Sequence, residues 1–219
     1  MCIRDRSQDH KPVGDGDVGL NTGGMGAYSP APIVTDEIHK RVIDEVMLPT
    51  MSGLRTEGFP YLGFLYAGLM IEGNEIKVLE FNCRFGDPET QPIMLRLESS
   101  LTNLCLDAIN KKLDTHQIEW SSMHSCGVVL ASSGYPEGYE TNMEIDIKND
   151  FSENEKLFHA GTKFIDNKIL SSGGRVFCMT ALGETLEIAI DNAYNAIPKI
   201  NFEGMFFRSD IGKKGLKND

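Results

Sequence analysis

Gly73-Asn74 constrains the fold of this chain more tightly than any other pair of residues. It separates two runs rich in strand-forming residues, Tyr61–Glu72 and Glu75–Cys83, and a two-residue glycine–asparagine link marks a tight β-hairpin. With that turn, Ala67 lies opposite Glu80 and Leu65 opposite Asn82. Both hairpin faces are mostly apolar, which predicts an interior pair of strands. In VLEFNC, Val78–Cys83, the two polar residues are Glu80 and Asn82. Strand side chains alternate, so Val78, Glu80 and Asn82 share a face. Two hard oxygen donors one pleat apart near a strand end suit Mg²⁺ held jointly with substrate phosphates. Polar residues of a half-exposed strand that merely meet water give the same pattern. Both readings stand at this point.

RFGDPETQ, Arg84–Gln91, follows at once. If the strand stays extended, Arg84 continues the alternation of positions 80 and 82, and its planar fork suits carboxylate or phosphate. A surface ion pair is the plainer reading. Asp87 precedes Pro88, which pushes it out of helical geometry into a turn; it is either a turn or cap residue or a substrate-facing carboxylate. Glu80, Asn82, Arg84 and Asp87 fall within eight positions, and that clustering favours a site. Upstream, residues 7–34 hold six of the 22 glycines and three prolines with no period of 2 or 3.6, which predicts a loop. GDGD and NTGGMG within Gly14–Gly26 offer consecutive flexible amides for an anion-binding nest, or form a long glycine-rich connector. The segment is neither a Walker loop nor a strand-led G-x-G-x-x-G. His10 and Lys11 read as a solvated pair, His159 as a packed or hydrogen-bonded histidine, and Met25 as packing. Lys213, Lys214 and Lys217 read as a solvated terminus.

The remaining pattern is α+β. Thr35 offers an N-cap with Asp36 and Glu37 in the first turn, ahead of an Ile38, Val42, Val46 stripe. Pro49 predicts a kink or restart, and Met51 and Leu54 carry the pattern on to Gly58. Thr90 caps a helix whose stripe is Ile93, Leu97, Leu101, Leu104 and Ala108. Asp114–Ser122 is a polar connection and the expected domain boundary. Strands are expected at Ser125–Ala131, Lys156–Ile165 and Arg175–Ala181. A helix over Glu184–Ile197 places Leu186, Ile190, Ala193 and Ile197 on one face, and a short strand covers Gly204–Arg208.

Composition narrows the function classes. Lys and Arg total 21 against 32 Asp and Glu, a formal charge of −11, which repels nucleic acid and anionic membranes. The longest apolar stretch, Tyr61–Ile71, falls short of the roughly 20 residues that cross a bilayer, and Met1–Arg6 has no apolar segment behind it. Five cysteines without a C-x-x-C pair fit a reducing cytosol.

At NTGGMGAYSP (Asn21–Pro30) and LEFNCRFGDPETQP (Leu79–Pro92), and along GFLYAGLM (Gly63–Met70), FHAGTK (Phe158–Lys163) and GGRVFCMTALG (Gly173–Gly183), the chain resembles the phosphoribosylamine–glycine ligase family of ATP-grasp enzymes. The likeness runs from about Ser7 to Gly212. It implies the second half of an ATP-grasp fold, an antiparallel sheet with helices, over residues 7–119, and the family's small α+β C-terminal domain over 120–219. Residues 1–6 match nothing in the family and read as a foreign junction. The implied activity is ligation of glycine to 5-phosphoribosylamine through a glycyl phosphate, with ATP consumed, in purine biosynthesis in the cytoplasm. The resemblance makes Glu80 and Asn82 ligands of Mg²⁺ or Mn²⁺ and Arg84 the arginine that neutralises the reacting phosphate. It puts Asp87, Asn21, Thr22, Gly23 and Gly24 near substrate. Two departures stand out: no carboxylate precedes the site on Tyr61–Ile71, and the family's full chain is about twice as long. The chain therefore reads as a fragment, inactive by itself, and the alternative is a non-catalytic metal- or phosphate-binding module.

Overall fold

A strand buried along nearly its whole length must be paired and covered on both sides, and His124–Ser132 and Arg175–Gly183 are two such strands. The computed structural model describes residues 6–113 and 118–217. In chain order the strands are β1 (Gln8–Asp9), β2 (Pro12–Gly14), β3 (Val18–Asn21), β4 (Gly26–Ser29), β5 (Tyr66–Glu72), β6 (Glu75–Asn82) and β7 (His124–Ser132). They continue as β8 (Asp146–Ile147), β9 (Glu155–His159), β10 (Thr162–Ile165), β11 (Lys168–Ser171), β12 (Arg175–Gly183), β13 (Ile200–Asn201) and β14 (Met205–Phe206). The helices are α1 (Asp36–Arg41), α2 (Leu48–Thr56), α3 (Thr90–Arg96), α4 (Leu101–Ile109) and α5 (Leu186–Ala196). They form two compact units that interleave along the sequence: residues 32–86 with 98–113, 118 and 119, and residues 6–31 with 87–97 and 120–217. The sequence-read junction at residues 1–6 lies, apart from Arg6, outside the described residues, as do residues 114–117 of the polar connection.

The second unit is built on an antiparallel sheet in the order β1-β4-β7-β12-β9, with β14 also paired to β7. Thr185 caps α5 by accepting from the Ile188 amide, and α5 packs on β7 and β12. Leu186, Ile190, Ala193 and Ile197 are buried, as their spacing requires. The expected strand over Lys156–Ile165 is two strands, β9 and β10, broken at Ala160-Gly161. The larger correction concerns residues 7–34. They are not a loop: they carry four strands, and every residue of β4 is buried. β4 is too short, and too rich in small residues, to show a period. What makes it a strand is pairing with β7 (Tyr28 opposite Cys126) rather than local preference. Short α3 also packs on β7 and β12. Arg96 at its end is buried, with its guanidinium donating to Met123 O at 2.8 Å, Ser29 Oγ at 2.6 Å and Ser121 O at 3.3 Å. A buried charge holds only when its donors are used, so this set fixes the helix and the turn before it.

In the first unit Thr35 caps α1, accepting from the Ile38 amide. The helix passes Pro49 through a π turn at Val42–Met47, which absorbs the amide that proline lacks. The single long helix expected after Thr90 is two, because Leu97 is extended and Ser100 caps α4; Glu89, not Thr90, occupies the cap position of α3. The hairpin turn is Gly73-Asn74 as read, with Glu72 opposite Glu75. Past Leu69 opposite Val78, however, a bulge shifts the register, so Gly68 faces Glu80, Ala67 faces Phe81 and Tyr66 faces Asn82. One extra residue on β6 interrupts the alternation between Val78 and Glu80. The pair is also not interior: Met70, Leu79 and Phe81 are 54%, 64% and 40% exposed. Apolar residues on both faces demand a cover, and within this chain the two strands form a sheet of their own.

His10 is fully buried, not a solvated partner of Lys11, and neither ring nitrogen has a hydrogen-bond partner among the described residues. Burial, helped by the nearby cations Lys214 and Arg208, lowers its pKa from 6.5 to about 4. A histidine whose folded pKa is depressed stabilises the fold above its unfolded pKa, and that stability is lost as pH falls from 6.5 towards 4. The difference corresponds to about 3 kcal/mol. Urea unfolding between pH 7 and 4 should show wild type losing about that much more stability than His10→Leu; parallel pH profiles would contradict the buried neutral ring.

Candidate active site

At the end of β6 in the first unit, Asn82 Nδ2 donates to Glu80 Oε1 at 3.1 Å. The two side chains therefore do share a face beyond the bulge. Glu80 Oε2 and Asn82 Oδ1 remain as hard oxygens for a cation. No group of three or more His, Cys, Asp or Glu residues arranged to hold a metal occurs among the described residues. The donor set thus fits a Mg²⁺ that completes its coordination with water and phosphate, not an all-protein cage. Arg84 does not continue the alternation. β6 ends at Asn82, the backbone bends at Cys83 and Arg84, and the guanidinium donates to Phe85 O at 2.8 Å. The bend is fixed by Phe85, whose ring stacks on Phe64 with centroids 3.9 Å apart.

In the second unit Asp87 lies in the turn that its neighbour Pro88 predicts, before α3, across a cis Asp87–Pro88 peptide. Its carboxylate is gripped by Arg175, the first residue of β12, with Nη1 to Oδ1 at 2.8 Å and Nη2 to Oδ2 at 2.7 Å. Fork-to-fork pairing of this kind is the strongest geometry available to such an ion pair. The same Nη1 reaches Gly23 O at 2.9 Å and Gly24 O at 3.4 Å, so one guanidinium ties the glycine loop to the Asp87 turn. The loop is not an open anion nest, because its amides are engaged. The Thr22 amide donates to Lys11 O, the Gly23 amide to the Tyr135 hydroxyl and the Gly24 amide to Thr22 Oγ1. Asn21 ends β3 opposite Pro12. Asp87, Gln91, Tyr135, Arg175, Phe177 and Cys178 line a cleft of about 330 Å³. Gln91 Oε1 is buried there with no hydrogen-bond partner among the described residues. Burial pushes the Cys178 thiol up to about 12, so it lines the cleft without serving as a nucleophile. His159 is exposed and hydrogen-bonded, the second of its two readings: its ring lies edge-on to Phe177 and 3.0 Å from Thr162 Oγ1.

Arg175 and Tyr135 are what the sequence reading missed. Arg175 is 88 positions from Asp87, and no periodicity joins them. The one local sign is Gly173-Gly174 before it: a Cβ at Gly174 would stand 2.2 Å from the Tyr135 ring. Glycine is required in the loop for the same reason. A Cβ on Gly23 would meet the Arg175 guanidinium at 2.8 Å; on Gly24, where φ is +116°, it would meet Pro88 Cδ at 2.2 Å. Gly24→Ala should therefore cost at least about 2 kcal/mol of stability in urea unfolding. A loss below about 0.5 kcal/mol would show that the Pro88 contact yields freely.

Comparison with known proteins agrees with this architecture. A family model described as phosphoribosylglycinamide synthetase, ATP-grasp (A) domain, matches residues 3–90, and a second, the C domain of the same synthetase, matches residues 125–214. A phosphoribosylamine–glycine ligase of Vibrio vulnificus is 54% identical over 215 residues, which is 97% of this chain and 50% of the relative. That of Salmonella typhimurium is 54% identical over 217 residues, with the same two shares. The crystal structure of phosphoribosylamine–glycine ligase from Thermotoga maritima superposes with a TM-score of 0.80 at 35% identity, over 93% of this chain and 50% of that one. The biotin carboxylase domain of a Hydrogenobacter thermophilus 2-oxoglutarate carboxylase, solved with MgADP, shares the fold, with a TM-score of 0.58 at 13% identity over 84% of this chain and 40% of that one. The chain spans about half the length of the curated relatives it matches. Both domain models of one synthetase thus match it in order, and the chain belongs to the phosphoribosylamine–glycine ligase family.

Proposed function

We propose that this chain supplies the phosphate-handling and substrate-orienting residues of an ATP-dependent ligase that joins glycine to 5-phosphoribosylamine. Glycine's carboxylate attacks the γ-phosphate of ATP, releasing ADP and forming glycyl phosphate. The amine of phosphoribosylamine then attacks the glycyl carbonyl and expels phosphate. Crowded negative charge opposes the first step. Glu80 and Asn82 would hold Mg²⁺, or Mn²⁺, by their oxygens, and a cation held there would supply positive charge against the phosphates. Arg84, exposed beside them in the chain, offers its remaining guanidinium donors to the reacting phosphate. Asp87 orients an amine-bearing substrate while Arg175 holds its carboxylate in place, and Asn21, Thr22, Gly23 and Gly24 bound the substrate's position.

The observation that carries this reading is the Glu80–Asn82 oxygen pair, Glu80 exposed and Asn82 half-buried, at a strand end one residue before RFGDPETQ. The non-catalytic module is the less favoured reading, because the family match runs through both domains. The rest of a full-length family enzyme would cover the apolar hairpin. No helix among the described residues is long and apolar enough to cross a membrane, and a cytoplasmic setting completes the proposal.

The test is a chimaera joining this chain to the part of the Vibrio vulnificus relative that it does not cover. In it, Glu80→Gln should lower glycine-dependent ADP release by at least about a hundredfold and raise the Mg²⁺ concentration needed for half-maximal rate. Rates within about twofold of the unsubstituted chimaera would overturn the metal role.

A further inference from the structure

The β2–β3 hairpin that leads into Asn21–Gly24 contains no fully buried residue: β2 is half-buried and β3 is exposed. Every residue of β3 is exposed, Val18 and Leu20 included, and the tip turns through left-handed Gly16 and Asp17. Two-stranded ribbons of this kind are marginal without help. The help is electrostatic and comes from about two hundred residues away. Arg208, 1% exposed, forks onto Asp210 with Nε to Oδ1 at 2.8 Å and Nη2 to Oδ2 at 2.7 Å. Its Nη1 donates to Pro12 O at 3.0 Å and to Asp17 Oδ1 at 3.1 Å, so it holds the ribbon by both strands' ends. Lys214 pairs with the other Asp17 oxygen, correcting its reading as a solvated tail residue. Asp210 Oδ2 accepts from the Gly16 amide at 2.8 Å, and Asp15 accepts from the Ser209 amide at 2.8 Å and from the Ser209 hydroxyl. The clamp is itself moored to α5, where the Tyr194 hydroxyl donates to Arg208 O at 2.6 Å and accepts from the Ile211 amide at 3.0 Å.

We infer that Arg208 is a positioning residue: through Asp17, Pro12 and Asp210 it sets the β2–β3 ribbon and thereby the placement of Asn21–Gly24. This rests on the reading of those four residues as substrate-facing. From Asp17 the clamp reaches Asn21 along the four residues of β3, about 13 Å; from Pro12, which lies opposite Asn21, it acts across the ribbon. Arg208 grips the ribbon at its tip through Asp17 and, through Pro12 O, at its base opposite Asn21, and the loop beyond is tied by Thr22 to Lys11 O and by Arg175 to Gly23 O. Burial works against the Asp210 carboxylate, but the Arg208 hydrogen bonds outweigh it and hold that carboxyl well below the usual range. The clamp is therefore charged throughout the physiological range.

Because Arg208 is buried, its removal could unfold the unit, and the test is made from the ribbon side. Asp17→Asn and, separately, Asp15→Asn leave the Arg208–Asp210 fork intact. Amide hydrogen exchange on the full chain should quicken at Thr22, Gly23 and Gly24 by about tenfold or more, with the β7 and β12 amides unchanged. Unchanged exchange at 22–24 in both variants overturns the clamp. In the chimaera, Asp17→Asn should raise KM for glycine or for phosphoribosylamine at least about fivefold with kcat within twofold, and Arg208→Lys, which keeps the charge without the fork, should fall between. A merely structural loss would lower kcat through the amount of folded enzyme. Quickened exchange with both KM values unmoved would show that the clamp reaches a loop that meets no substrate, and would overturn the proposal through the reading it rests on.

Discussion

Everything in the second unit depends on β7 being paired on both edges. Antiparallel pairing brings β4 to one side, with Gly26 opposite Val128, and β12 to the other, with Arg175 opposite Ala131. The residues just before β4 and the first residue of β12 thus flank the same end of β7, about one strand spacing away on either side. Gly23, Gly24 and Arg175 are neighbours for that reason alone, although 151 positions separate Gly24 from Arg175. Asp87 arrives by a third route, on the turn before α3, which Arg96 and the Ser125–Pro92 hydrogen bond of 2.8 Å seat on the sheet. A single guanidinium then closes the three segments together.

The two units meet their polar requirements in opposite ways. In the second, buried cations are fully committed: Arg96 to Ser29 Oγ and two carbonyls, Arg208 to two carboxylates and a carbonyl. Such groups are costly to bury and costlier to leave unpaired, so they define one arrangement of their loops. In the first, Glu80, Arg84 and the apolar hairpin face are exposed. A carboxylate and a guanidinium kept in water retain the freedom to exchange solvent for phosphate and cation, which is what the proposed phosphate-handling role would need.

What was legible in the sequence was what local chemistry dictates. The Gly73-Asn74 turn, the Thr35 cap and the Leu186–Ile197 stripe follow from turn preference, a hydroxyl at a helix start and a 3.6-residue period. Glu80 and Asn82 could be paired because a strand's two-residue period acts at short range. What escaped was set at long range. The bulge on β6 moved the hairpin register by one residue, and the bend at Cys83–Arg84 took Arg84 off the strand. β4 is a strand because β7 pairs with it. His10 and Arg208 are buried by partners nearly a chain length apart. Arg175 carried no mark beyond the two glycines before it, of which Gly174 lacks a side chain because the Tyr135 ring stands where its Cβ would be.

The most direct test of this account is whether Arg175 and Asp87 act as one unit. A double-mutant cycle with Asp87→Ala and Arg175→Met, read by urea unfolding of the chain at neutral pH and low salt, isolates their coupling. Because Asp87 is half-exposed, the full strength of a buried pair is not expected. The forked geometry and the shared Gly23 carbonyl predict a coupling of about 1 kcal/mol or more. Losses that add to within about 0.3 kcal/mol would mean that the loop, the turn and β12 are held independently, and would contradict the claim that one guanidinium organises the site.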